Sequence, residues 1–142
     1  MSDIRLIYRS ENAMTAGGTR LLVHFHQIVE NARRHNASAN ITGFLMFDRH
    51  RFHQVLEGPE ERVDILFAKI QADQRHRNVE QLLREAITER DFPDWSMASF
   101  VDSAGKHPLK LQHNITSGGA LSADHFLAFA RDFVRQEDIE SE

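Results

Sequence analysis

Two periods alternate along this chain, and their order limits the fold more than any other feature. Ile4-Arg5-Leu6-Ile7-Tyr8-Arg9-Ser10 has the two-residue period of a strand. After a loop from Asn12 to the hinge Gly17-Gly18, Thr19 is placed to cap a helix running to about Arg34. Leu22, Phe25, Ile28, Val29 and Ala32 form its apolar stripe. His35 to Asn40 reads as a polar turn. Ile41 to Phe47 is mostly apolar, as expected of a strand covered on both faces. Asp48-Arg49-His50-Arg51 reads as a hairpin turn, and Phe52 to Gly58 as the returning strand. Gly58-Pro59-Glu60-Glu61 opens a second helix, because proline and acids suit a first turn; Val63, Leu66, Phe67 and Ile70 are its stripe.

The pattern then weakens. Asp73 to Asn78 is a charged loop. Val79 to about Glu89 reads as a strand, although Leu82-Leu83 among Glu and Arg fits a helix as well. Asp91-Phe92-Pro93-Asp94 is a turn, and Trp95 to Val101 a last strand. A more polar remainder carries one amphipathic helix, Ala123 to about Gln136, with Phe126, Leu127, Ala130, Phe133 and Val134 on its stripe. The first six elements run strand, helix, strand, strand, helix, strand. That order predicts an α+β fold, a ferredoxin-like βαββαβ sandwich with an extra strand and C-terminal capping helices. In it both helices cover one sheet face, and the first and third strands are central neighbours.

One strand face carries a residue of the wrong kind. Phe52, Gln54 and Leu56 share a face that two of them mark as buried, yet Gln54 brings an amide that needs partners. Tyr8 does the same among Ile4 and Leu6. The predicted topology sets Tyr8 beside Gln54 under the two helices, so a hydrogen bond between them, or a polar ligand in the cleft above, is expected.

The bulk numbers bound the alternatives. With 142 residues the chain suffices for one domain with a real core. Apolar content of 41% and charged content of 27% are those of an ordinary globular protein. A net charge of −4 argues against a dedicated nucleic-acid binder. No apolar run approaches the ~18 residues of a membrane helix, and the start lacks a secretory pattern, so a cytoplasmic protein is expected. Cysteine is absent, which excludes disulfides, thiolate zinc sites and a catalytic thiol. The nine histidines show no HExxH-type spacing, and no metal site is predicted.

Five stretches, in order, resemble the BLUF family of blue-light sensors that use FAD. They are Leu6-Ile7-Tyr8-Arg9-Ser10, His35 through Gly43, Phe52 through Gly58, Asp73 through Asn78, and Phe92 through Met97. The resemblance covers about residues 3 to 101. It implies the ferredoxin-like fold, with the flavin ring held between the helices, and a sensor rather than an enzyme. Tyr8 stands where the family has its electron-donating tyrosine. Gln54 matches the glutamine that bonds both tyrosine and flavin. Asn36, with its neighbour His35, matches the recognition of the polar pyrimidine edge. Ile28 falls where an aliphatic residue packs on the ring, and Lys69 matches a residue reaching the pyrimidine edge. Asp73 is expected near the ribityl chain, and Arg75 and His76 near the FAD tail. Trp95 and Met97 match the family's last-strand pair, of which either one can face the pocket.

Some positions depart from the family. His53 replaces a usual aromatic but faces the other side of its strand, Asn40 replaces an apolar residue, and the loop after the first strand looks long. The lack of cysteine also excludes photochemistry through a cysteine–flavin adduct. The resemblance implies that Tyr8 gives an electron and then a proton to the photoexcited flavin, with Gln54 relaying hydrogen bonds. The tail from about Asp102 is too short for a catalytic domain, so a stand-alone sensor is expected, acting by contact with a separate downstream protein or by changing its own assembly. The division expected is a sensor domain, 1–101, and a helical extension, 102–142, with self-association as a rival to the helix capping the sheet. A small ferredoxin-like hydrolase using Arg9 with Asn36 or Asn40 is an alternative that lacks a Gly-rich anion loop and leaves Gln54 unexplained. A ligand-free interaction module is another.

Overall fold

The computed structural model describes residues 2–15, 17–48, 50–93, 98–101 and 122–140. The elements run β1 (Asp3–Asn12), α1 (Gly18–Ala39), β2 (Thr42–Phe47), β3 (Arg51–Pro59), α2 (Glu60–Ala72), β4 (His76–Ile87), β5 (Ala98–Val101) and α3 (Ala123–Glu140). The five strands lie in the order β4-β1-β3-β2-β5. β5 runs parallel to β2, and the other pairings are antiparallel. The first four strands thus have the ferredoxin-like arrangement, with β1 and β3 central and β5 as the added strand.

Alternation sorts the side chains of the central strands to two faces. Ile4, Leu6 and Tyr8 of β1, with Phe52 and Leu56 of β3, pack under Leu21, Phe25 and Val29 of α1 and Val63 and Phe67 of α2. Leu21, Phe25 and Val29 step by one helical turn, so Leu21 rather than the expected Leu22 points into the core. On the other face Ile7, Phe44, Met46 and Val55 pack against Phe126, Leu127, Phe129, Ala130 and Val134 of α3. The C-terminal helix therefore covers the sheet face that α1 and α2 leave open, as its stripe predicts.

Several boundaries differ from expectation. α1 begins at Gly18 with Gly17 as its extended N-cap, so Thr19 lies inside the first turn. The stretch from His35 is not a turn: α1 continues through Ala39 and ends on Asn40, which takes the left-handed conformation (φ 59°). Its polar residues resemble turn chemistry because several line a cavity on one helix face. β4 starts at His76, earlier than the expected Val79, and the ambiguous Leu82-Leu83 is strand. The last strand is described only as Ala98–Val101, and its expected start, 95–97, lies outside the described residues.

Two positions on β2 and β3 yield stability predictions. A Cβ at Gly43 would lie 2.0 Å from the backbone oxygen of Val55. Gly43→Ala is therefore expected to cost about 3 kcal/mol or more by forcing β2 off β3, read as a fall in denaturant midpoint. His53 is 1% exposed, its ring centroid 5.5 Å from that of Phe126. Burial pushes its pKa down to about 4. The unfolded chain then takes up this proton at higher pH than the folded one, so the stability is complete above pH ~6.5 and is lost as pH falls towards the folded value. His53→Phe is expected to remove this loss and to be the more stable form at pH 5 by an extra ~2 kcal/mol over any difference at pH 7. Denaturant unfolding at the two pH values measures it; identical pH dependence in both proteins would refute it.

Candidate functional site

The site begins with a strand register. Tyr8 and Gln54 are directly opposed across β1 and β3, and Leu45 of β2 flanks Gln54 on its other side. Directly opposed residues point to the same face, here the one under α1 and α2. The Tyr8 hydroxyl donates to Gln54 Oε1 at 2.5 Å. Tyr8 is 1% and Gln54 5% exposed. Burial raises the Tyr8 pKa far above its usual value, the Asp73 charge adds to the rise, and Arg75 opposes it. Tyr8 is therefore a neutral phenol, a donor that needs an acceptor. That need orients the amide with its oxygen towards Tyr8 and its NH2 group away.

Above this pair a cavity of about 520 Å³ opens between α1 and α2, within the range of small-molecule sites. Ile28, His35 and Asn36 of α1, Lys69 of α2, and Asp73, Arg75 and His76 line it together with Tyr8 and Gln54. The structure thus brings nine of the sequence-predicted residues around one space. Trp95 and Met97, the other two, lie outside the described residues.

Each wall has a local cause. Asn36 is 1% exposed because it sits on the inner face of the last turns of α1. Asp73 caps the C-terminus of α2, and its carboxylate accepts from the Arg75 guanidinium: Nε reaches both oxygens at 3.0 Å, and a terminal nitrogen reaches Oδ2 at 2.5 Å. That pairing holds the Asp73 carboxyl below the usual carboxylate range and raises Arg75. The His76 ring packs 4.5 Å from Phe52 and 6.1 Å, edge-on, from Tyr8. Burial pushes its pKa down to about 4, with Asp73 opposing the fall, so it is neutral near pH 7.

Sequence reasoning missed other lining residues, among them Asn31, Arg62, Ile65 and Leu66. Helical spacing was the available signal: Arg62, Leu66, Lys69 and Asp73 follow at steps of four, three and four, so placing Lys69 on the cavity places the others. Among the described residues no group of His, Asp and Glu is arranged to hold a metal ion, and no helix is long and apolar enough to cross a membrane.

Residues 4–98 match the BLUF family, described as sensors of blue-light using FAD. The photoactivated adenylate cyclase subunit beta of Euglena longa is 43% identical over 74 residues, 51% of this chain and 9% of the relative. The blue light- and temperature-regulated antirepressor BluF of Escherichia coli K12 is 38% identical over 74 residues, 52% of this chain and 18% of the relative. The chain thus matches only a small part of these relatives. Among solved structures, BlrB, a BLUF protein in its dark state, aligns with a TM-score of 0.66 at 35% identity, covering 70% of this chain and 73% of the other. The photo-activated state of BlsA aligns with a TM-score of 0.76 at 29% identity, covering 92% and 93%.

Proposed function

This chain belongs to the BLUF family, the sensors of blue-light using FAD, and from that premise we propose how its own residues do the sensing. The protein is a photoreceptor that uses FAD, and it is not an enzyme. The observation that carries the proposal is the buried Tyr8–Gln54 hydrogen bond at the floor of a ligand-sized cavity.

The residues present fit a flavin. Ile28 and Leu66 offer apolar walls from facing helices, as a flat aromatic ring requires. Asn36 and Gln54 offer buried amides, which pair with a ring edge that both donates and accepts. Lys69, with His35, supplies polar reach towards that edge. Asp73, Arg75 and His76 form the polar end, suited to the ribityl chain and phosphates. Trp95 and Met97 are assigned to the photoactive network on the family pattern alone.

The bound flavin supplies blue-light absorption and, once excited, a strong oxidant. Tyr8 is the electron donor in this reading, and its hydroxyl proton passes along the existing hydrogen bond to Gln54 Oε1. The electron and proton would then return to Tyr8, leaving Gln54 rotated or tautomerised with a donor towards the cofactor's carbonyl edge, which would shift absorption to the red. One hydrogen bond is worth about 1 kcal/mol, enough to bias an element balanced between two arrangements.

That element is assigned to β5 and α3. β3 carries Gln54 on one face and, on the other, His53 against Phe126 of α3. Arg131 of α3 also holds Asp91 at 2.7 Å. In this reading residues 1–101 are the sensor and 102–142 the extension through which it speaks to a separate downstream protein in the cytoplasm. With relatives that include a cyclase subunit and an antirepressor, an effector or regulator protein is the partner class proposed, and not nucleic acid or a membrane.

An absorption spectrum tests this reading. Purified protein is expected to be yellow, to shift to longer wavelength under blue light, and to return in darkness. Colourless protein that takes up no added flavin would overturn it.

A further inference from the structure

His76 is the first residue of β4, yet its ring lies over β1 and β3. The cause is a break in strand register. β1 and β4 slip between Arg9 and Glu11, and Asn78 takes a left-handed conformation there (φ 53°). The Asn78 side chain fastens the irregularity by donating to Glu11 Oε2 at 3.0 Å. Such irregularities re-aim a neighbouring side chain. Ser10 sits in the slip, 2% exposed, on the same strand face as Tyr8. Its Oγ lies 2.7 Å from His76 Nδ1. With Nδ1 engaged in the sheet, Nε2 is the polar atom His76 has left for the cavity that it lines.

A neutral imidazole carries its proton on one nitrogen, and the bond made by the other decides which. The cavity end near His76 also holds the Asp73 carboxylate, and in the flavin reading it receives the hydroxyls and phosphates of the cofactor's side chain. These groups present oxygen acceptors, which suit an N–H and not a second lone pair.

We propose that Ser10 is a positioning residue of the flavin site: it donates its hydroxyl proton to His76 Nδ1 and so fixes His76 as the Nε2–H tautomer, a donor for the oxygen-rich side chain of the flavin. The role rests on the flavin reading above. It gives Ser10 a task that its small size and buried place on β1 do not suggest. Because the same ring meets Tyr8 edge-on, Ser10 also steadies the packing around the phenol.

Nitrogen-15 spectra of histidine-labelled, flavin-loaded protein at pH 7 test the proposal, with the His76 signals assigned by their loss in His76→Gln. The wild type and Ser10→Thr, which keeps the hydroxyl, are expected to show an unprotonated Nδ1 and a protonated Nε2. Ser10→Ala is expected to lose this single-tautomer signature and to raise the Kd for FAD about fivefold, the effect of one ordinary hydrogen bond. A protonated Nδ1 in the wild type would overturn the proposal without any variant having to fold. An unchanged Ser10→Ala signature, or equal losses of affinity in the Ala and Thr variants, would also overturn it. Wild type that takes up no flavin would contradict the flavin reading instead, while the tautomer is still read in the flavin-free protein.

Discussion

Gln54→Leu is expected to bind flavin in full stoichiometry and to show no red shift under blue light. Leucine matches the apolar face that Phe52 and Leu56 already form, so the cavity floor keeps its shape. The change removes the acceptor of the Tyr8 hydroxyl, which leaves a buried donor without its partner at a cost of about 1–3 kcal/mol in stability. It also removes the amide that, in this reading, turns a donor towards the cofactor. Tyr8→Phe reaches the same end from the other side. It keeps the ring that packs 5.5 Å from Phe67 and deletes the hydroxyl, which removes both the oxidisable phenol and the proton that follows its electron. Both variants are expected to be yellow and photochemically silent. A normal light-induced red shift in either would remove that residue from the photoactive network.

Glu57→Ala is expected to be the most damaging of the single changes for stability, by about 3–5 kcal/mol. Glu57 is 0% exposed and pairs with Arg5, itself 6% exposed. One carboxylate oxygen accepts from Arg5 Nε at 2.9 Å and from the Asp91 backbone N–H at 3.1 Å; the other accepts from the Phe92 N–H at 2.9 Å. Arg5 also reaches Glu85 and Asp91, each at 2.8 Å. Burial works against the charge on Arg5, but the hydrogen bonds it donates to Glu85 and Glu57 outweigh it and keep the pKa raised. Removing Glu57 takes from Arg5 its fully buried partner, leaving it the more exposed Glu85 and Asp91, and strands two backbone donors at once, against a total domain stability of about 5–15 kcal/mol. Replacing both Arg5 and Glu57 by leucine is expected to recover only part of the loss, because the two backbone N–H groups stay unpaired. Equilibrium unfolding decides the matter, and a loss below about 1 kcal/mol for Glu57→Ala would show that the remaining carboxylates suffice.

The Tyr8–Gln54 contact was legible in the sequence because two independent rules meet there. Alternation gave each residue its face, and the order of elements made β1 and β3 neighbours. Asn36 was legible as a residue but not as a helical one: its polar surroundings imitate a turn when the cavity they serve is out of view. β4 was blurred because its exposed and half-buried positions do not alternate cleanly, so its start at His76 carried no signal. Ser10 was invisible for a related reason. Its partner lies 66 residues away and arrives through an irregular register that no periodicity records. The buried charge of Glu57 was hidden too, since a single acid at a strand end reads as solvated until the segment after β4 folds its backbone onto it.

The most direct test of the central claim is the infrared difference, light minus dark, of the flavin-loaded protein. The flavin carbonyl stretch is expected to fall in frequency on illumination, because Gln54 presents a new hydrogen-bond donor, and this band is expected to be absent from the difference spectrum of Gln54→Leu. A protein that turns red-shifted while its carbonyl band stays in place would contradict it.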